Sequence, residues 1–86
     1  MKNQVEELTA DDIGNKGQEI YDRLIRPSLE TENLGRIIAI DIYSEDYEIG
    51  EDPSAVMSCL ERRRPGAMLF VMRIGGGGVY RIGFIP

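Results

Sequence analysis

The chain contains no histidine, and this absence excludes more than any residue it does contain. It removes the commonest general base near neutral pH and the commonest transition-metal ligand. No Ser-His-Asp arrangement can be built, and Ser44, Ser54 and Ser58 lie outside any nucleophile-elbow context. There is a single cysteine, Cys59, so no internal disulfide can form and a reducing compartment is expected. Without a histidine partner, and beside a helical apolar stripe, Cys59 reads as a buried, inert thiol. Long apolar runs are also missing. The longest, 67–72, is strand length, far short of the roughly 18–20 residues of a membrane span. Met1 to Glu7 is polar and acidic, without the apolar core of a signal peptide. These features lead us to expect a cytoplasmic protein with no membrane partner, no cofactor, no metal and no catalytic constellation.

What is present fits one small domain spanning residues 1–86, with residues 1–8 as a flexible N-terminal tail. Of the 86 residues, 42% are apolar and 29% charged, enough hydrophobic pattern for a folded body. The net charge of −5 is distributed unevenly. Residues 1–35 carry four bases and eight acids; 36–52 carry one base and six acids; 53–86 carry five bases and one acid. The successive balances are −4, −5 and +4. The acidic total opposes general nucleic-acid binding, which requires net phosphate neutralisation.

Local signals give the elements. Thr9 is a helix N-cap with Asp12 completing a shortened capping box. Ile13, Gly17, Ile20 and Leu24 recur at helical spacing, with Tyr21 and Ile25 widening the stripe. Pro27 should end or kink this helix near Arg26. Arg36 to Tyr43 alternates as a strand; a Ser44-Glu45-Asp46 turn and a shorter strand over Tyr47 to Gly50 complete a hairpin. Asp52-Pro53 starts a second helix with Val56, Met57 and Leu60 as its apolar stripe, stopped by Pro65-Gly66. Residues 67–74 are almost continuously apolar, as in a central strand covered on both faces. After Gly75 to Gly78, residues 79–85 form a last strand. The expected fold is α+β: two helices and a four-stranded, mostly antiparallel sheet in the order α-β-β-α-β-β, with the helices on one face. A loop made of the four glycines alone would place Arg73 opposite Tyr80 and Met72 opposite Arg81, with Arg81 on the face opposite Arg73.

Three features invite a functional reading. Glycine-rich loops cradle phosphates when bare backbone N–H groups converge, but such loops lead into a helix and carry a lysine; here a strand follows and no lysine is present. A hairpin turn is therefore the simpler reading of Gly75, Gly76, Gly77 and Gly78. The acidic stretch DIYSEDYEIGED holds six carboxylates without calcium-loop spacing. Within it Asp41 lies in an apolar strand as a candidate buried or paired acid; a solvent face or an arginine partner is the plain explanation, and acid chemistry with a neighbouring carboxylate is the alternative. The run Arg62-Arg63-Arg64 compensates the helix dipole or forms a contact patch. Arg73, Tyr80 and Arg81 cluster at the glycine loop, and these residue types are enriched at recognition surfaces.

The motifs GRIIAIDIYSEDYEIGED, RRPGA and MRIGGGGVYRIG resemble those of a group of small uncharacterised prokaryotic proteins. In that group a strand leads into an acidic hairpin, a short helix and an apolar strand ending in R-I-G. The layout, covering about two-thirds of the chain, is similar to small antitoxin-like proteins, some encoded beside a toxin-like protein or a retropepsin-like protease. The resemblance implies no catalytic residues. Taken with the residues, it leads us to expect a non-enzymatic protein–protein interaction module, antitoxin-like or self-associating into a homo-oligomer. The alternative is a small-molecule or anion-binding protein using the Gly75–Gly78 loop with Arg73 or Arg81.

Overall fold

The computed structural model describes residues 8–76 in full and the backbone alone of residues 79–84. Thr9 opens helix α1 (Ala10–Ile20) with the expected capping box: its hydroxyl accepts the Asp12 amide at 3.1 Å, and the Asp12 carboxylate accepts the Thr9 amide at 3.0 Å. The helix does not run regularly to Arg26. Residues Tyr21–Ile25 widen into a π-helical turn, closed by the Arg26 amide on the Tyr21 carbonyl at 3.0 Å. Pro27 has no N–H to continue the ladder, so the chain leaves the helix there. The Ile25 carbonyl then accepts the amides of Ser28, Leu29 and Glu30, bending the chain back toward Tyr21. The connection ends in a short 3-10 turn, Thr31–Asn33.

The strands are β1 (Ile37–Asp41), β2 (Tyr47–Gly50), β3 (Met68–Arg73) and β4 (Val79–Phe84), and the sheet order is β2-β1-β3-β4 with every neighbouring pair antiparallel. The α+β class with an antiparallel sheet follows the local patterns. Strands β2 and β3 both run against β1, so they are parallel to each other. They are joined by α2 (Pro53–Arg63), which Asp52 caps through the Ala55 amide at 3.0 Å.

The helices lie on opposite faces of the sheet, not on one. Ile38, Ile40 and Ile42 of the β1 region and Phe70, Met72 and Ile74 of the β3 region pack on Ile13, Ile20, Tyr21 and Ile25. The intervening residues Ile37, Ala39, Leu69 and Val71 pack with Ala67 on Val56 and Leu60 of α2. Both central strands are apolar on both faces, and a one-faced arrangement would leave half of that surface in water, at a cost of about 25 cal/mol per Å². The continuous apolar runs of β1 and β3, not an alternating pattern, are what require two covering layers. At Gly17 the α1 backbone lies directly against the sheet: a Cβ there would fall within the Phe70 side chain. Leu8 packs against the α1-side core, while the remainder of the expected tail, residues 1–7, lies outside the described residues.

The pairing of β3 with β4 also departs from expectation. Val71 stands opposite Arg81 and Met72 opposite Val79, with a register shift between Val71 and Met72. Arg73 is thus not paired with Tyr80, nor Met72 with Arg81. A bulge absorbs one residue of β4, so the connection is not a plain four-glycine loop. The face taken by the Arg81 side chain lies outside the described residues.

Candidate functional site

The exit of β3 brings three of the predicted residues together. Arg73 is exposed at the strand end, and its guanidinium donates to the Gly35 carbonyl at 2.8 Å. Ile74 is buried; its amide donates to the Arg36 carbonyl at 2.8 Å, and its carbonyl accepts the Gly35 amide at 2.9 Å. The chain then turns at Gly75, with φ of +74°, a conformation that L side chains rarely adopt. The Gly75 amide donates to the Tyr21 hydroxyl at 3.2 Å, and that hydroxyl donates to the Glu30 carboxylate at 2.6 Å. Burial, then the bond to Glu30, pushes the Tyr21 phenol above its ordinary pKa. The Arg26 guanidinium lies 5.5 Å from the Tyr21 ring centroid and 3.8 Å from Glu30. The Gly76 amide donates to the Arg73 carbonyl at 3.3 Å. Gly77 and Gly78, and the side chains of Tyr80 and Arg81, lie outside the described residues.

This geometry bears on the anion reading. An anion cradle needs successive backbone amides converging on open space. Here the amides of Gly75 and Gly76 are both turned inward onto protein acceptors, and Arg73 is engaged by a carbonyl. Among the described residues, the segment is the start of a hairpin bend and offers no cradle.

Asp41 belongs to the opposite end of the sheet, four strand positions from the level of Arg73, or roughly 13 Å. It is neither solvent-facing nor paired with an arginine: it is 3% exposed. One carboxylate oxygen accepts the amides of Tyr43 at 3.2 Å and Met68 at 3.1 Å; the other accepts the Ser44 hydroxyl at 2.7 Å and amide at 3.3 Å. The side chain thus ends β1, shapes the turn and ties it to the first residue of β3. A carboxylate so occupied is a structural anchor.

The other five carboxylates of the acidic hairpin are engaged too. Glu45 meets Arg23 at 2.8 Å, Asp46 meets Arg63 at 3.1 Å and Arg64 at 3.2 Å, Glu48 meets Arg63 at 2.7 Å, Glu51 meets Arg36 at 3.2 Å, and Asp52 caps α2. Arg63 also donates to the Tyr47 carbonyl at 2.8 Å. The arginine run at the end of α2 therefore does more than offset the dipole: Arg63 and Arg64 neutralise the hairpin. Arg62 turns elsewhere, with one nitrogen 3.8 Å from the Cys59 sulfur, and Cys59 is half-buried rather than buried.

Sequence patterns missed Tyr21, Glu30 and Leu34 as neighbours of the glycine hairpin. Tyr21 reads as one more stripe residue, and only the stop at Pro27 hints that Glu30 folds back. Leu34 is 63% exposed yet covers Gly75, where a Cβ would collide with it. Among the described residues no cluster of three or more metal-ligating side chains occurs, and no helix is long and apolar enough to cross a membrane. No family model, curated protein or solved structure matches the chain.

Proposed function

We propose that this chain is a non-enzymatic interaction module that self-associates by strand pairing along the outer edge of β4. The carrying observation is the contrast between the two sheet edges. In β1, the amide of Asp41 bonds to Asp46 in the β2 direction, while Ile42 bonds to Met68 of β3. Antiparallel ladders alternate in this way residue by residue. Extending the alternation across the strand registers turns Tyr47 and Ile49 of β2 outward on one edge, and Ile82 and Phe84 of β4 outward on the other. On the β2 edge the outward Tyr47 carbonyl is taken by Arg63, and charged Asp46 and Glu48 flank it. These are the devices by which proteins blunt an edge. On the β4 edge, among the described residues, no neighbouring strand takes up the outward groups of Ile82 and Phe84. The full engagement of the hairpin carboxylates supports the non-enzymatic part of the reading, as does the resemblance to antitoxin-like proteins.

The test replaces one backbone N–H by N–CH3 and leaves every side chain unchanged. Cys59 is the single cysteine and allows a synthetic segment 59–86 carrying N-methyl-Ile82 to be ligated to residues 1–58. Light scattering coupled to size exclusion should show a concentration-dependent dimer for the native chain, and association at least about tenfold weaker for the methylated one, the loss of two symmetry-related edge bonds. A native chain that is monomeric at every concentration would sink self-association. A dimer indifferent to the methyl group would move the interface away from β4.

A further inference from the structure

We infer that the Tyr21 hydroxyl is a latch that fixes the chain's exit from β3, tying the first turn of the glycine hairpin to the end of helix α1. Its use rests on the strand-pairing reading, because β4 is reached through this turn; its test does not. The latch is assembled from distant parts of the sequence. The apolar stripe buries Tyr21 to 1% exposure, and its hydroxyl meets polar partners there. The π-helical turn and Pro27 then send the chain back through the Ile25 carbonyl, bringing Glu30 within 2.6 Å of that hydroxyl. A phenol that donates to Glu30 has lone pairs left to accept, and Gly75 fills one of them from 54 residues away. Arg26 reinforces the arrangement, lying over the Tyr21 ring while its guanidinium reaches Asp22 at 2.7 Å and Glu30 at 3.8 Å.

The other contacts at Gly75 make the hydroxyl the deciding one. Ile74, immediately before it, is locked to Arg36 and Gly35 by two backbone bonds. Leu34 covers the side where a Cβ would stand, but an exposed aliphatic side chain constrains a backbone only loosely. The sole polar contact holding the Gly75 amide among the described residues is Tyr21. Charge organised at the α1 end by Arg26, Asp22 and Glu30 is thus coupled through one oxygen to the turn that leads to β4.

Amide hydrogen exchange read by NMR tests this directly on wild type, Tyr21→Phe and Glu30→Ala. Tyr21→Phe keeps the ring in the core and deletes the latch, and Gly75 exchange should rise about tenfold while Ile38 and Val71 keep their protection. Glu30→Ala leaves the hydroxyl in place but frees it to rotate, and Gly75 exchange should rise by a smaller factor. Gly75 exchange within about twofold of wild type in both variants would overturn the latch. The measurement is valid whatever the oligomeric state, so a monomeric wild type would end the pairing reading and leave this result standing.

Discussion

The carboxylate of Asp41 accepts the backbone amide of Met68 at 3.1 Å, so the last residue of the first strand holds the first residue of the third. The same carboxylate holds Tyr43 and Ser44 in the turn that follows. Three backbone amides and one hydroxyl depend on it; the Asp41 side chain is buried, while Tyr43 and Ser44, which supply two of the amides and the hydroxyl, are exposed residues.

Replacing Asp41 by Ala should therefore be among the most damaging single changes to stability. Each buried donor left without an acceptor costs about 1–3 kcal/mol, and partial hydration offsets some of the sum, so we expect a loss of about 3 kcal/mol. Asp41→Asn keeps one acceptor oxygen and should lose roughly half as much. Urea denaturation monitored by circular dichroism gives both values. If Asp41→Ala unfolds at the wild-type midpoint, the anchor assignment fails.

Gly17→Ala sets two effects of opposite sign against each other. Alanine is favoured over glycine in a helix by about 1 kcal/mol. The added methyl, however, falls within the fully buried Phe70 side chain, and overpacking costs about 1–3 kcal/mol, more when the neighbour cannot move. Phe70 is confined between α1 and the sheet, so the clash should win and the variant should melt lower. Pairing it with Phe70→Leu should restore part of the loss, giving a favourable coupling in a double-mutant thermal-denaturation cycle. An unperturbed Gly17→Ala would mean that α1 rides farther from β3.

The arginine clamp on the acidic hairpin predicts a pH dependence. A hydrogen bond from Arg63 holds the Asp46 carboxyl below its ordinary pKa of 3.8; burial pushes the other way, and the Tyr47 amide and Arg64 add to the lowering. The folded pKa lies below the unfolded one, so the associated stability is fully present above the unfolded value and is lost as pH falls through the folded value. Arg23 acts in the same direction on Glu45. Acidification below about pH 4 should destabilise the chain progressively. Arg63→Gln should flatten that dependence while changing stability little at neutral pH, because an exposed ion pair is screened by solvent. The checks are thermal melts across the acid range at low and high salt; an identical acid slope in the variant would refute the clamp.

Gly75→Ala should cost about 1–2 kcal/mol, the ordinary penalty for an L side chain at positive φ. Leu34 also stands in the way, but it is exposed and able to swing aside. Removing it should therefore recover little: the double variant Gly75→Ala with Leu34→Ala should remain close to Gly75→Ala alone. Full recovery in chemical denaturation would assign the penalty to the contact rather than to the backbone.

The sequence by itself determined what depends on near neighbours. The Thr9 capping box, the Asp52-Pro53 helix start, the stop at Pro27, the hairpin after β1 and the doubly covered run of β3 are each written within a few residues, because caps, turns and periodicity are local. Tertiary structure decided what depends on the path of the chain. The apolar run of β1 is buried on both faces, but nothing within it says which helix takes which face. The acids near residue 46 and the arginines near residue 63 look like separate charge blocks until α2 crosses the sheet and brings Arg63 to Asp46 across 17 positions. Asp41 reaches Met68 across 27 positions and Tyr21 reaches Gly75 across 54. The bulge in β4 arises from pairing with β3 and has no signature in the glycines themselves. Hydrogen-bond and ion-pair partners are chosen by distance in space, and distance in space is set only when the layers close.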